Sequence, residues 1–238
     1  MQHHASNRSG RDFVIGDLHG CMDALRYLLC EVRFDTTRDR LFSVGDLIDR
    51  GDQSEAALGL LDRPWFFSVT GNHEDMLCAV AEGRQPRSSW NAIGGSWAET
   101  LPEAALLHYA QRLRELPLVR VVGVGAARFN VLHAEFFGAD DDLDAGRFDD
   151  VVRERLLWGR ELALGAVDPS FFTRALSLTY CGHTPVHEVT RIGSQMFIDT
   201  GAFIAEGRLT MVETFSPRLW SISTREAREH GAEAFKLP

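Results

Sequence analysis

The sequence predicts a layered α/β domain, and three observations carry that prediction. Short apolar runs typical of buried strands alternate with segments whose apolar residues recur every three or four positions, as in amphipathic helices. Charged and polar side chains, whose burial is energetically unfavourable, directly follow several of the apolar runs, where open α/β sheets place their ligands. With 238 residues, 45% of them apolar, the chain is long enough to bury a sizeable core.

The first half of the chain alternates regularly between strand, loop and helix. In order, we predict strands over 13–15, 41–44 and 65–70 and helices over 23–32, 54–61 and 74–82. Asp23 and Ser54 are expected to cap the first two of these helices. Parallel strands joined in this way bring the loops at their carboxyl ends to one crevice.

The second half predicts a further, mixed sheet packed on the first. Residues 83–102 are rich in Gly, Ser, Pro and Trp and are expected to be an insertion that covers part of the site. Helices are predicted over 103–116 and 149–158, and strands over 118–122, 128–132, 178–181, 196–198, 209–213 and 219–222. The glycine-rich turn 123–126 is expected to be a hairpin, because it leads into a strand rather than a helix.

Composition limits the function classes. Residues 1–11 are polar and are predicted to be a disordered leader before one domain over 12–238. Neither a secretory signal nor an apolar run of about 18 residues is present, so no membrane contact is expected. A net charge of −9 argues against a nucleic-acid surface. The four cysteines lack Cys-x-x-Cys spacing and are expected to be buried side chains in a reducing compartment, so the predicted location is cytoplasmic.

Polar clusters at the ends of predicted strands are the strongest functional signal. The central cluster is the run Gly45-Asp46-Leu47-Ile48-Asp49-Arg50-Gly51-Asp52, whose charges need partners from elsewhere in the chain. The others are Gly16-Asp17-Leu18-His19-Gly20, Gly71-Asn72-His73-Glu74, His133 and Gly182-His183-Thr184-Pro185. Carboxylate, imidazole and amide donors without a thiolate suit Mn²⁺, Fe or Zn²⁺ better than Ca²⁺ or Cu⁺.

The series GDLHG, GDLIDRG, GNHE, a later His and GHTP resembles the phosphoprotein phosphatases, a family of binuclear metallophosphoesterases. Shorter echoes at Trp90, 94–97, 158–160 and 198–201 resemble its compact bacterial and bacteriophage lambda-type members. The resemblance covers about residues 12–213. It implies a metallophosphoesterase fold, in which two packed mixed β-sheets are flanked by helices.

The resemblance also implies a role for each matching residue. Asp17 and His19 would bind one divalent cation, Asp46 would bridge to a second, and Asn72, His133 and His183 would complete the second site. Arg50, Arg160 and Asn72 would hold the substrate phosphate, His73 would protonate the leaving group, and Asp49 would orient His73. The ions are expected to be Mn²⁺, with Fe or Zn²⁺ as alternatives, and a hydroxide bridging them would attack phosphorus directly.

The expected function is therefore dephosphorylation of phosphoserine and phosphothreonine in proteins, with phosphotyrosine and the oligomeric state left open. Symmetrical diadenosine-tetraphosphate hydrolases share most of the pattern but resemble this chain less, since they lack an acid matching Asp49. A non-catalytic phosphate-binding scaffold is the alternative from another class. One departure from the family is Asp52-Gln53, which stands beside Arg50 where many bacterial members have proline.

Two further segments imitate other sites. Asp199-Thr200-Gly201 has the letters of an aspartic-protease motif, but that chemistry needs two such carboxylates, so a structural turn near the metal site is expected. The acidic run Asp140-Asp141-Asp142-x-Asp144 fails the EF-hand pattern, because Val151 occupies the last ligand position. A solvated loop is expected, and the sharper hypothesis is that this run borders the cleft and favours basic phosphopeptides.

Overall fold

A computed structural model describes residues 1–171, 175–232 and 236–237. Within them, two β-sheets pack face to face between helices. The strands are β1 Gln2–His4, β2 Asp12–Ile15, β3 Arg40–Ser43, β4 Phe66–Ser68, β5 Val119–Val122, β6 Phe129–Leu132, β7 Leu178–Cys181, β8 Thr190–Ile192, β9 Gln195–Phe197, β10 Leu209–Glu213 and β11 Leu219–Ile222. The helices are α1 Met22–Glu31, α2 Ser54–Leu58, α3 Asn72–Ala81, α4 Arg87–Asn91, α5 Glu103–Leu113, α6 Asp140–Ala145, α7 Asp150–Trp158 and α8 Thr224–Glu229.

Both sheets are mixed, as the resemblance implies. The five-stranded sheet has the order β11-β10-β2-β3-β4, with β2, β3 and β4 parallel and β10 antiparallel to β2. The six-stranded sheet has the order β1-β5-β6-β7-β9-β8, with β6, β7 and β9 parallel. The predicted hairpin joins β5 to β6, which are antiparallel. In each sheet, three parallel strands therefore end at one edge.

The core has three layers, because successive side chains of a strand face opposite sides. In β2, Phe13 and Ile15 pack with the helices that cover the five-stranded sheet. Val14, between them, packs against Phe129 and Tyr180 of the other sheet. A one-residue slip of β2 would reverse these environments, so burial fixes its register and the direction of the loop that follows.

The expectation of a disordered leader is wrong for Gln2–His4, which form β1 and pair in parallel with β5. The His4 ring packs edge-on against Phe67, with the ring centroids 4.9 Å apart. Arg120 of β5 lies with its Nη1 2.9 Å from His4 Nε2. Polar composition did not reveal this strand, since an edge strand is held mainly by backbone hydrogen bonds.

The acidic run forms α6 instead of a solvated loop. Asp140 accepts a hydrogen bond from the backbone N–H of Ser177 at 3.0 Å, and Arg128 pairs with Asp144 at 2.7 Å. Arg128 and Ser177 precede β6 and β7, so α6 lies toward the amino ends of these strands. This placement contradicts the hypothesis that the run borders the cleft, because the predicted ligands follow the carboxyl ends.

The structure changes several smaller expectations. Asp23 lies in the first turn of α1 and is not its N-cap, which is Cys21. Three of the four unpaired cysteines are buried as expected, whereas Cys30 is exposed. The short elements β8 and α8 were not predicted, because neither has enough apolar residues to show a period. None of the helices in the described part of the chain is both long and apolar enough to cross a membrane.

Candidate metal centre

The carboxyl edges of the two sheets meet at a cluster of buried polar side chains. From the five-stranded sheet come Asp17 and His19 after β2, Asp46 after β3 and Asn72 after β4; from the six-stranded sheet come His133 after β6, His183 after β7 and Asp199 after β9. All six metal ligands expected from the sequence are in this cluster. Asp17 and His183 are 166 positions apart, yet both carboxylate oxygens of Asp17 accept the backbone N–H of His183, at 3.0 and 3.1 Å.

Asp46 lies between two groups of donor atoms. Its Oδ1 is 3.4 Å from Nε2 of His133, and its Oδ2 is 3.6 Å from Nε2 of His19. On the His133 side, Asn72 Oδ1 lies 2.8 Å from His133 Nε2 and 3.0 Å from His183 Nδ1. A carboxylate that presents one oxygen to each group is suited to bridge two cations.

The hydrogen bonds of two histidines prepare them to bind a metal through Nε2. His19 Nδ1 lies 2.8 Å from the carbonyl oxygen of Ile48, and His133 Nδ1 lies 2.8 Å from that of Val44. A carbonyl only accepts, so Nδ1 carries the hydrogen and Nε2 keeps its lone pair. Burial lowers the pKa of His19 to about 3 and also lowers the pKa of His133, which keeps both rings neutral as metal binding requires.

The buried carboxylates of the cluster require positive charge nearby. Burial, together with the charges of Asp199 and Asp46, raises the pKa of Asp17 well above its usual value. Burial also raises the pKa of Asp199 to about 6, and its Oδ2 has no hydrogen-bond partner within the described ranges. Buried carboxylates this close repel one another unless cations lie among them. The donor set thus fits two divalent cations.

His73 differs from the other histidines of the cluster. Its Nδ1 lies 2.7 Å from Asp49 Oδ2, and its buried Nε2 has no hydrogen-bond partner among residues 1–171, 175–232 and 236–237. Burial lowers the pKa of His73, but the carboxylates of Asp46 and Asp49 outweigh it and raise the pKa above the usual value. Nε2 lies 3.7 Å from Asp46 Oδ2, close enough to count with His19 as a possible ligand group by distance alone. Its raised pKa means that His73 holds a proton more readily than the other histidines of the cluster do.

Arg50 lies on the His19 side of Asp46. Its Nη1 is 3.0 Å from His19 Nε2, and its guanidinium lies 4.3 Å from the ring centroid of Phe203. Its Nε donates to the carbonyl oxygen of Ile93 at 3.3 Å. These contacts orient a planar fork of donors beside the expected position of a phosphate.

Arg160 is exposed and follows Trp158, whose ring lies 5.8 Å from that of His183. The turn that carries it is held by Glu135, a buried residue that sequence analysis missed. The Glu135 carboxylate accepts backbone N–H groups, including that of Leu162 at 2.8 Å. Its only sequence signal is a charge two positions after His133.

Glu74 is a second carboxylate whose role the sequence did not reveal. It accepts the backbone N–H groups of Asp46, Leu47 and Gly71, at 2.8, 2.9 and 2.9 Å. The loop after β3 is thereby tied to the start of α3. This support is needed because Asp46 and Asp49 have φ angles of 49° and 74°, in the left-handed region that non-glycine residues rarely adopt.

The segment Asp52-Gln53, where the sequence departs from the family pattern, is held by side-chain hydrogen bonds. Asp52 accepts a hydrogen bond from Arg228 of α8 at 2.7 Å, and Arg228 also donates to Asp23 at 2.6 Å. The Gln53 side chain donates to the same Asp23 at 3.3 Å. Polar contacts with α1 and α8 therefore hold the loop beside Arg50 at the position of this departure.

Gly182 allows Asp17 to approach the backbone, since a Cβ at position 182 would lie 1.9 Å from Asp17 Oδ1. We expect Gly182→Ala to displace Asp17 and to weaken apparent Mn²⁺ affinity about tenfold or more. The measurement is a Mn²⁺ titration followed by thermal unfolding. Gly59→Ala is the control, because nothing lies within 4 Å of its added Cβ. Equal affinities of the two variants would contradict the prediction.

Two mixed sheets that carry aspartate, asparagine and histidine at converging strand ends define a metallophosphoesterase. The model of the calcineurin-like phosphoesterases matches residues 13–205, and the chain belongs to this family. Members use divalent metal ions, for which the cluster supplies candidate ligands. The resemblance found in the sequence motifs is confirmed.

Comparison with individual proteins separates two kinds of relative. Serine/threonine-protein phosphatase 2 of Salmonella typhimurium (strain LT2) is 34% identical over 199 residues, which is 80% of this chain and 87% of that protein. A symmetrical bis(5'-nucleosyl)-tetraphosphatase of Dechloromonas aromatica is 47% identical over 73 residues, only 30% of this chain and 26% of that protein. A serine/threonine phosphatase structure from Saccharomyces cerevisiae, with similarity to human phosphatase PP5, shares the fold (TM-score 0.64, 19% identity, 93% of this chain and 82% of that one).

Proposed function

We propose that this protein removes phosphate from phosphoserine and phosphothreonine residues of proteins in a metal-dependent reaction. The observation that carries this proposal is the placement of the buried His73–Asp49 pair beside Asp46, with the exposed Arg50 reaching His19 of the same site. The relative that matches 80% of the chain is named a protein phosphatase, which supports the same substrate class.

We assign the ligands as the resemblance implies. Asp17 and His19 would hold one cation, Asp46 would be shared between the two, and Asn72, His133 and His183 would hold the other. We propose Mn²⁺ for both, because the donors are oxygen and imidazole nitrogen, and Fe or Zn²⁺ would also suit them. When bound, such ions lower the pKa of water and neutralise charge on the phosphate.

The side chains of the site supply binding and proton transfer. Arg50, Arg160 and Asn72 bind phosphate oxygens, for which a planar guanidinium is better suited than an ammonium. His73, held protonated by Asp49, gives the hydrogen on Nε2 to the leaving oxygen of serine or threonine. The phosphoryl group passes directly to water, so no phosphoenzyme forms.

A substrate panel tests the proposal. With Mn²⁺, we expect turnover of a phosphoserine peptide to exceed that of diadenosine tetraphosphate, because the Asp49 carboxylate supports protonation of an alkoxide. p-Nitrophenyl phosphate reports phosphoesterase activity independently of protein recognition. Faster cleavage of the dinucleotide would favour the tetraphosphatase alternative, and no turnover of any substrate would favour a binding scaffold.

Phosphoproteins are the proposed partners, with neither nucleic acid nor membrane. The cytoplasmic location also stays a prediction, and it is supported by four unpaired cysteines, three of them buried.

A further inference from the structure

The segment 87–98 places two tryptophans on one carboxylate. Trp90 Nε1 donates to Asp49 Oδ2 at 2.8 Å, and Trp97 Nε1 donates to Asp49 Oδ1 at 2.6 Å. Oδ2 also lies 2.7 Å from His73 Nδ1, and the Asp49 backbone N–H donates to Ser54 Oγ at 2.9 Å. Both indoles thus use their single polar atom on the carboxylate that orients His73.

We infer that Trp90 and Trp97 are positioning residues for proton transfer, which fix the Asp49 carboxylate so that His73 keeps Nε2 turned into the site. The inference deepens the proposed function and rests on it. It assigns a role to Trp90 and to the motif at 94–97, which are neither candidate metal ligands nor phosphate-binding arginines.

The geometry shows why two donors are needed. A carboxylate rotates over a broad range about its terminal torsion, so one hydrogen bond leaves its plane free. The two indole rings meet at 86° with centroids 6.0 Å apart and donate to different oxygens of Asp49. The plane of the carboxylate is thereby fixed. An indole N–H donates only, so neither tryptophan competes with His73 for a proton.

The same segment also holds Arg50. Besides Ile93, the carbonyl oxygen of Gly94 contacts the loop, accepting the Arg50 backbone N–H at 3.2 Å. Gly94 has a φ of 119°, and a Cβ there would lie 2.7 Å from Arg50 Cγ. The neighbouring Gly95 packs against the Trp90 ring, which a Cβ would approach to 2.5 Å. Segment 87–98 therefore positions both the His73–Asp49 pair and Arg50.

Trp90→Phe and Trp97→Phe test the inference, since each keeps an aromatic ring and removes the indole N–H together with part of the ring volume. We expect kcat for a phosphoserine peptide to fall about tenfold or more, with KM within about twofold. The fall should be smaller for p-nitrophenyl phosphate, because its phenolate leaves without needing a proton. Trp65→Phe is the matched control. Trp65 is buried, its ring centroid lies 5.2 Å from that of Phe34, and it is not part of the polar cluster.

A double-mutant cycle separates positioning from packing. In an Asp49→Asn background, either tryptophan change should have little further effect on kcat, because the carboxylate they orient is gone. The rise in unfolding temperature with Mn²⁺ should match wild type, which shows that the metal site is intact. The inference would be overturned if the fall in kcat were no larger than that of Trp65→Phe, or if it were the same for both substrates. It would also be overturned if the fall were additive with that of Asp49→Asn. A wild-type protein inactive on every phosphoester would overturn the proposed function as well.

Discussion

Replacing His73 with asparagine should lower kcat for a phosphoserine peptide by about 10²- to 10⁴-fold, the range by which a positioned acid accelerates a reaction. His73 is the one histidine of the cluster whose pKa is raised, through the charges of Asp46 and Asp49, and its Nε2 is buried without a partner inside the described residues. Initial rates at saturating Mn²⁺ measure the effect. Mn²⁺ affinity, measured by thermal unfolding, should change little.

The pH profile gives this prediction a second readout. An acid must carry its proton, so kcat should decline as pH rises through the pKa of His73, which lies above the usual imidazole value. Asp49→Asn removes one of the carboxylates that raise this pKa, so the decline should move to lower pH. If His73→Asn instead lost metal affinity together with activity, His73 would be a ligand, as its distances to His19 and Asp46 allow.

Replacing Asp46 with asparagine should weaken Mn²⁺ binding by about a hundredfold or more and remove activity with it. Asp46 presents one oxygen toward His133 and the other toward His19, at 3.4 and 3.6 Å. A neutral amide supplies one oxygen without the charge that two cations need. The unfolding temperature should then no longer rise with Mn²⁺, because a ligand stabilises only a fold that binds it.

Asp141→Asn is the control for this change in charge. Asp141 is an exposed acid of α6, at the amino ends of the strands. It should keep the wild-type response to Mn²⁺. A full thermal response of Asp46→Asn would show that the bridge is not required and would argue against a shared centre.

The candidate metal ligands could be located because each follows a predicted strand, and their roles are those that the family resemblance implies. Asp17, Asp46 and His183 each follow glycine and an apolar strand, and the carboxyl ends of parallel strands meet at one edge of a sheet. The sheet order was not needed for that step. The sequence thus indicated which side chains would meet, and the structure places all of them in one cluster.

Other residues of the site had no such signal. Glu74 and Glu135 hold loops through backbone N–H groups, and any buried acid near a turn would look the same in sequence. Trp90 and Trp97 were noticed as a motif, but their shared partner lies more than 40 positions away, at 41 and 48 residues from Asp49. Contacts of this range depend on how the insertion folds back.

By itself, the sequence determined which donor types this protein carries, their positions at strand ends and the family to which it belongs. Strand periodicity and glycine at turns are properties of neighbouring residues, so they can be read along the chain. Only the tertiary structure decided that Gln2–His4 form an edge strand, that α6 faces away from the site and that two indoles clamp Asp49. Those arrangements are hydrogen bonds between distant segments, whose partners are chosen by the packing of the two sheets and the helices that cover them.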